Sequence, residues 1–373
     1  MVLLVSAGLL GKSFYRLLHV DLNFHPDHLA TLEIDTASYT NEKRTALLQQ
    51  LIGRILTMPG VTSVGQTSSL PVNCNCDTRG FRVMGRPWNG EHNTMNEQSV
   101  SPDYFRTLQA GLIRGRFFTD ADDASKPSVV IINQLLAKKY FPNQDPIGRI
   151  IGDENLSPQS LRQIVGVVGD IREGGLDEEI QPAVYRPFYQ EPDNIFLVVR
   201  TVQESGAMLP ALVTAIHQAD PNVGVRNEFT MMEHIDDTYT AYFHSASAYL
   251  VGGFAALALL LGVVGLYGVI AYSVSQRTRE IGVRMALGAQ RGSVYRLILG
   301  EAGSLAVIGI VVGIACSFAA AMLMRSMLFG VRAWDVSTLV GVAVVLAVCA
   351  LLASYLPARR AASVNPVEAL RAE

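Results

Sequence analysis

The feature that most constrains the fold is a pair of long apolar runs separated by a short arginine-rich segment. The first run, 249–274, has no charged residue, and the second, 297–323, has only Glu301. A third run, about 337–356, is also uncharged. Because about 20 apolar residues suffice for a helix to cross a bilayer, the sequence predicts three complete membrane spans within a helical domain over 245–373.

The composition of the chain changes at about residue 244. Residues 1–244 carry 20 Lys and Arg against 28 Asp and Glu, whereas residues 245–373 carry 10 against 5. Nucleic-acid binding requires a basic face, so the acidic first part argues against that class of partner. We expect residues 19–244 to form a separate domain outside the membrane.

Arginines at the ends of the runs predict the orientation. The segment 276–296 and the tail after Leu356 together hold eight arginines, whereas the loop between the second and third spans holds Arg325 and Arg332. Positive charge favours the cytoplasmic side. The C-terminus is therefore predicted in the cytoplasm and the large domain outside. Since that domain needs an earlier crossing, we expect residues 1–18 to be the outer end of a first span whose beginning is missing.

Periodicity in the large domain predicts two β-α-β units. Alternation over 31–36 is followed by an apolar helical face within 41–58 and by a strand at 61–66. The same pattern recurs over 197–200, 208–218 and 223–227. We expect one α/β layer with an insertion between the units, and within the insertion a helix at 134–140 and a strand at 163–168.

Several motifs resemble catalytic or ligand sites without completing one. Ser6–Ser13 ends in Gly-Lys-Ser like a phosphate-binding loop but begins with serine. His25 and His28 lack an evident third metal ligand. Asp120, Asp122 and Asp123 lack the glycine and the terminal glutamate of a calcium loop, so 120–123 is interpreted as a solvated acidic turn. Cys74 and Cys76 are interpreted as part of a plain loop. We therefore expect no enzyme activity, catalytic residue, cofactor or metal.

Small residues in the spans indicate close helix packing. The candidate packing positions are Gly262, Gly265, Gly268, Gly309 and Gly313. Contact among the spans of this chain and a seam between two copies explain them equally well. Glu301 is expected either to extend toward the interface near Arg296 or to make a polar contact between helices. The centres of the spans carry no charge, which weakens the hypothesis that the chain is a proton-coupled exporter.

The arginine-rich segment predicts a helix over 278–287. Glu280 and Arg284 form an i,i+4 pair in the favourable order. Two interpretations are open from the residues alone. The helix could lie on lipid headgroups with its arginines on anionic lipid, or it could dock into a cytoplasmic partner.

Several longer motifs resemble one family. The run Arg277–Ala289 looks like the coupling segment of the MacB/FtsX family of ABC-transporter permeases, and the tail 357–371 is similar to that family's C-terminus. In the large domain, segments 101–105, 115–120, 141–149 and 164–170 resemble the MacB-like periplasmic core. Within the family, the chain is most similar to the second module of a long duplicated permease.

The resemblance implies an FtsX-like membrane domain of four spans, of which three are complete here, and an α/β extracytoplasmic domain of two lobes. The porter-like lobe would comprise about 29–70 and 195–240, and the inserted lobe about 71–194. The expected location is the bacterial cytoplasmic membrane. The implied partners are a separate ABC ATPase, a second permease module in a dimer or a duplicated chain, and an envelope adaptor in some relatives.

The resulting hypothesis is a permease subunit that couples ATP hydrolysis by its partner to motion of the outer domain, for export or for mechanical transmission in the envelope. The expected ATPase contacts are Arg279, Glu280, Ile281, Val283, Arg284, Met285 and Leu287. The alternative is a membrane-anchored envelope sensor or scaffold without an ATPase partner.

Overall fold

The computed structural model describes residues 1–73, 77–277, 280–281, 283–284, 287 and 291–362. The chain forms two compact units. The α/β unit comprises Val20–Ala241, and the helical unit comprises Met1–His19 together with Tyr242–Glu373.

The α/β unit is built on one mixed sheet of 12 strands. Its strands are β1 Leu29–Asp35, β2 Val61–Thr67, β3 Thr78–Gly80, β4 Arg82–Val83, β5 Thr94–Val100, β6 Leu112–Gly115, β7 Val129–Asn133, β8 Ile150–Gly152, β9 Arg162–Val168, β10 Ala183–Pro187, β11 Ile195–Thr201 and β12 Gly224–Thr230. Its helices are α2 Asn41–Leu56, α3 Tyr104–Leu108, α4 Gln134–Tyr140, α5 Ser205–Ala219 and α6 Met231–Asp236. The main path is β12-β1-β11-β2-β5-β10-β7-β9-β8-β4, while β3 pairs with β5 and β6 with β9.

The two sequence-predicted β-α-β units occur and are interleaved. Strand β11 lies between β1 and β2 and is antiparallel to both, and β1 lies in the same way between β11 and β12. Each unit is therefore a split β-α-β motif, as in ferredoxin-like folds. Helices α2 and α5 pack on this four-stranded part through Leu48, Leu51 and Ile216, all fully buried. We call this part the porter-like lobe.

The inserted lobe contains strands β3 to β10. Its apolar core includes Phe81, Val130 and Ile164. Helix α4 spans Gln134–Tyr140, as the sequence predicts, and begins at Asn133, whose side chain accepts a hydrogen bond from the backbone of Leu136. The sheet continues from one lobe to the other where β2 pairs with β5 through one residue pair, Thr67 with Val100.

The helical unit contains α1 Val2–Leu18, α8 Arg291–Leu323, α9 Val336–Ala362 and, from Tyr242 onward, α7 Tyr239–Gln276, whose first three residues belong to the α/β unit. Within the described residues, three helices are long and apolar enough to cross a membrane: Tyr239–Gln276, Gly292–Leu323 and Val336–Arg360. All three expected spans are present, and α7 begins ten residues before the predicted 249. Their surfaces are largely apolar and exposed, for example at Leu261 and Val311, as a lipid-facing helix requires.

Candidate functional site

The segment between α7 and α8 is helical at each of its described positions from Glu280 to Arg284. The backbone amide of Ile281 donates to the carbonyl of Arg277 at 2.9 Å, and that of Leu287 donates to Val283 at 3.0 Å. Both bonds have the i→i−4 spacing of an α-helix. Two of the predicted ATPase contacts, Arg279 and Met285, lie outside the described residues.

Ile281 anchors this segment to the helical unit. Its side chain is 4% exposed and belongs to an apolar cluster at the adjacent helix ends. The buried members of the cluster are Ile270 of α7, Val294, Ile298 and Ala302 of α8, and Ala358 of α9. The prediction that Ile281 contacts a partner protein therefore needs revision, because its surface is already covered by this chain.

The opposite side of the segment is open. Val283 is 41% exposed and Leu287 is 83% exposed. Glu280 and Arg284 form the predicted i,i+4 ion pair, with about half of each side chain exposed. An exposed pair of this kind contributes only about 0.3–0.5 kcal/mol to stability. The open side thus combines apolar surface with charges that remain available to a partner.

Two polar contacts join α7 to its neighbours close to this cluster. Arg277, the residue after α7, lies 3.4 Å from Glu301 of α8, so the observed partner of Glu301 is Arg277 and not Arg296. Arg360 of α9 donates to the Tyr267 hydroxyl of α7 at 3.1 Å. The ends of three long helices are consequently tied together at the base of the segment.

The five candidate packing glycines do not share one environment. A methyl group added at Gly262, Gly265, Gly268 or Gly309 would meet no atom within 4 Å, whereas one at Gly313 would lie 2.5 Å from Met1 Cβ. Gly262 and Gly309 line an apolar cavity of about 550 Å³ within the helical unit. Of these five glycines, only Gly313 lies as close to another part of the chain as the packing prediction expects. A seam with a second module stays a prediction for the other four.

The Gly-Lys-Ser sequence near the start lies within α1 and makes structural contacts. Lys12 Nζ lies 2.8 Å from Asp335 Oδ1, and Ser13 Oγ accepts a hydrogen bond from the Phe329 amide at 2.8 Å. Asp335 also accepts from the Thr338 amide at 3.0 Å. The Lys12 hydrogen bond, followed by those of Thr338 and Ser337, holds the pKa of Asp335 well below its usual range. The lysine and hydroxyl of the motif are thus engaged by this chain, and the continuous helix differs from a phosphate-binding loop.

The other ligand-like motifs form no metal site in the parts of the chain that the structure describes. His28 Nδ1 lies 3.1 Å from the carbonyl of Gln203. The interpretation of 120–123 as a solvated turn is wrong for Asp122, which is 6% exposed and pairs with Arg116 at 2.7 Å. Burial raises the pKa of Asp122, but the bonds from Arg116 and Thr119 outweigh it and the net shift is downward. Cys74 and Cys76 lie outside the described residues.

The buried carboxylate of Glu173, in the α/β unit, is not predicted by the sequence analysis. Glu173 is 4% exposed, and its oxygens accept hydrogen bonds from Tyr185 at 2.6 Å and Gln98 at 2.9 Å. Burial raises the pKa of Glu173 to about 7, although the two hydrogen bonds oppose the rise. Glu173 stands in the irregular segment between β9 and β10, where no periodic pattern distinguishes buried from exposed positions.

Two structures resemble parts of the chain. The periplasmic region of MacB from Actinobacillus actinomycetemcomitans is 15% identical and aligns with 60% of this chain and 99% of that structure, with a TM-score of 0.40. The extracellular domain of YknZ from Gram-positive bacteria is 16% identical and aligns with 53% of this chain and 100% of that structure, with a TM-score of 0.36.

Curated relatives match more of the sequence. The pyoverdine export ATP-binding/permease protein PvdT of Pseudomonas aeruginosa is 27% identical over 283 residues, which cover 73% of this chain and 41% of that protein. The macrolide export ATP-binding/permease protein MacB of Marinobacter nauticus is 28% identical over 278 residues, which cover 70% and 41%. The chain thus spans about two fifths of the length of these relatives.

Two family profiles match in succession. Residues 1–219 match the MacB-like periplasmic core domain, and residues 252–366 match the FtsX-like permease C-terminal domain. The first match alone covers more than half of the 373 residues. The two profiles correspond to the two parts of this chain, the α/β unit and the membrane helices. The chain belongs to the MacB/FtsX family of ABC-transporter permeases.

Proposed function

We propose that this chain is the permease subunit of an ABC transporter complex and that it receives mechanical work from a separate ATPase. One observation carries the proposal: the segment between α7 and α8 is anchored by Ile281 and open at Val283 and Leu287. A segment that only lay on lipid would not require an anchor that joins the ends of three helices. Force applied to the open side reaches α7, α8 and α9 through the same cluster.

The proposed docking surface consists of Glu280, Val283, Arg284 and Leu287, together with Arg279 and Met285, which lie outside the described residues. Ile281 then positions this surface and does not contact the partner. We place the surface and the C-terminus in the cytoplasm, because eight of the ten arginines of 245–373 lie there. The α/β unit would lie outside the membrane, and it would move there when the ATPase closes.

In the part of the chain that the structure describes, the phosphate-loop-like motif near the start is already occupied by contacts within the chain. Lys12 and Ser13 are engaged inside the helical unit, so ATP hydrolysis falls to the partner. The related PvdT and MacB proteins are named as ATP-binding/permease proteins for export, which supports an exporter. Two permease modules would assemble around the ATPase pair, with exposed Gly265 and Gly268 as candidate contacts. An envelope adaptor is a further candidate partner.

The test is a Leu287→Glu variant of the full chain, purified from native membranes after gentle solubilisation. A carboxylate on the 83% exposed apolar side chain should abolish the recovery of a co-purifying ABC ATPase without loss of expression. Val202→Glu is the matched control, because Val202 is an exposed apolar residue of the α/β unit at 68%. The control should recover the ATPase as the wild type does.

Two outcomes would contradict the proposal. If the wild-type complex contains the ATPase and Leu287→Glu retains it with unchanged stimulation of hydrolysis, the docking surface lies elsewhere. If the intact, well-expressed wild type brings down no ATPase, the envelope sensor or scaffold becomes the better explanation. Binding of an isolated 276–296 peptide to anionic vesicles would then be expected.

A further inference from the structure

The two lobes of the α/β unit differ in how the chain joins them to the helical unit. Residues 20–28 lead from α1 into β1, and α6 leads from β12 into α7. Both covalent connections therefore enter the porter-like lobe. Among the described strands, the ladder between the two lobes has one residue pair, Thr67 with Val100, and helix α3 of the inserted lobe also bonds to the porter-like lobe, since Arg200 Nε donates to the Thr107 carbonyl at 2.7 Å. Movement of the spans can therefore reach the inserted lobe through this ladder, through α3, whose Leu108 carbonyl accepts from the His25 amide at 3.1 Å, and through side chains and loops.

One segment, 170–178, contacts both connections. The Arg172 amide donates to the carbonyl of Leu22 at 3.2 Å, and Asn23 Nδ2 donates to the carbonyl of Asp170 at 2.8 Å. At the other connection, Thr240 Oγ1 donates to Asp177 Oδ1 at 3.2 Å. Thr240 belongs to the first turn of α7, which continues into the first membrane span.

A second set of contacts reaches the same segment from α6. His234 Nε2 donates to the carbonyl of Pro71 at 3.1 Å. Val72 and Asn73 follow Pro71 in the chain. The Val72 amide donates a hydrogen bond to the carbonyl of Arg172 at 3.0 Å, and the Asn73 amide donates one to the carbonyl of Glu173 at 3.1 Å. The segment is thus held by backbone hydrogen bonds as well as by side chains.

Glu173 fixes the segment to the inserted lobe. Its carboxylate accepts from Tyr185 of β10 and from Gln98 of β5, and Gln98 Oε1 in turn accepts from Thr67 of β2 at 3.0 Å. In the described part of the chain, no basic side chain forms an ion pair with Glu173. A buried carboxylate depends on such hydrogen bonds, because losing one leaves a desolvated group unpaired. The segment is therefore fixed at the place where the two lobes meet.

We infer that segment 170–178 transmits movement of α1 and α7 to the inserted lobe, with Glu173 as the residue that positions it. This inference rests on the proposed function, since it assigns a path to the motion that an ATPase would drive. The physical basis is a contiguous set of hydrogen bonds from Leu22 and Thr240 to strands β5 and β10. Coupling along such a path needs a direct test.

Glycine substitutions provide a matched pair of variants. A Cβ at Gly175 would lie 3.3 Å from both Thr240 Oγ1 and Asp177 Oδ1, whereas a Cβ at Gly169 would have the Gly111 carbonyl at 4.0 Å as its nearest neighbour. Gly175→Val should thus force the segment away from α7, and Gly169→Val should not. Thr240→Val is a milder variant that removes one bond. Its control is Thr214→Val, which removes a hydroxyl bond to Pro210 in α5.

The measurement is the distance between spin labels on the two lobes, at Lys138→Cys and Ala207→Cys, in a chain whose native cysteines are replaced. The labelled chain is kept in nanodiscs with its ATPase, and distances are compared without nucleotide and with ATP plus vanadate. We expect the wild type and both controls to show a nucleotide-dependent change. Gly175→Val should lose most of that change and Thr240→Val at least half, with ATPase binding and the thermal unfolding midpoint unchanged.

The outcomes separate the inference from the proposed function. A full nucleotide-dependent change in both Gly175→Val and Thr240→Val overturns the inference and leaves the permease assignment standing. The same conclusion follows if the wild type binds its ATPase but shows no change between the lobes. A wild type that binds no ATPase overturns the proposed function, and the inference with it.

Discussion

Lys12 of α1 and Asp335, the residue before α9, form an ion pair with Nζ 2.8 Å from Oδ1. The side chains are 32% and 19% exposed, so water screens the pair only in part. Asp335 also bonds the amide and hydroxyl of Thr338 at the start of α9. One carboxylate therefore joins α1 to α9 and caps a helix.

Substitutions in this pair should differ in their effect. Lys12→Met removes the ion pair and should lower the free energy of unfolding by about 1.5–3 kcal/mol, the range for a hydrogen bond to a charged group. Asp335→Ala removes the ion pair and also the helix cap, and the loss of the cap should lower the free energy of unfolding by a further ~0.5–2 kcal/mol. Thermal unfolding in detergent tests the order, with exposed Arg332→Met as the control. Equal effects of the two substitutions would show that the cap contributes nothing.

Glu173 should make stability depend on pH. Its pKa is raised from 4.5 to about 7 in the folded chain, so between these values the folded state holds a proton that the unfolded state releases. Stability must then fall as pH rises from about 4.5 to 7 and become level above 7. We expect the unfolding midpoint of the α/β unit, measured in the full chain, to fall over this window.

Glu173→Gln should flatten this pH dependence, because the amide does not titrate. Glu191→Gln is the control: burial raises the pKa of Glu191, but Arg186 and Arg162 outweigh it and the net shift is downward. Because the pKa of Glu191 is shifted in the opposite direction, its variant should not flatten the fall in stability that Glu173 causes. An unchanged slope in Glu173→Gln would mean that another group titrates there.

Ile281→Ala should weaken the transmission of force through the apolar cluster around Ile281 more than it weakens binding of the ATPase. Truncating a buried isoleucine costs about 2–5 kcal/mol, and the loss falls on contacts with α8 and α9. We expect the variant to bind the ATPase with reduced stimulation of hydrolysis. The control Val283→Ala, at a position 41% exposed, should change stability by less than about 0.5 kcal/mol. Complete loss of ATPase binding in Ile281→Ala with the fold intact would contradict a purely positioning role.

Two glycines of the porter-like lobe should respond in opposite directions to alanine. A Cβ at Gly65 in β2 would lie 2.8 Å from Tyr104 Cα, a contact that requires the backbone to shift. Gly65→Ala should therefore destabilise the α/β unit, by about 1–3 kcal/mol as for overpacking in a core. Gly53 of α2 has no neighbour within 4 Å, and Gly53→Ala should stabilise by up to about 1 kcal/mol through helix propensity. Denaturant unfolding compares the two variants.

Much of the architecture could be predicted because it depends on local periodicity. The apolar runs around Tyr249 and Ser337 define membrane helices by length and lack of charge. The face containing Leu47, Leu51 and Ile55 defines α2 in the same way. In the candidate site, the Glu280–Arg284 pair could be predicted because the i,i+4 spacing brings two side chains together on a helix.

Only the tertiary structure decided which groups meet across long separations in sequence. The apolar cluster that holds both Ile281 and Ala358, the pairing of Lys12 with Asp335 and the interleaving of β1 with β11 all join distant segments. Glu173 lies in an irregular segment, and its burial follows from strands and loops that converge around it. The sequence by itself thus determined the elements and the membrane class, because local pattern sets helix, strand and burial in lipid. The tertiary structure decided the inward role of Ile281 and the link through Glu173, because these depend on packing that no local pattern encodes.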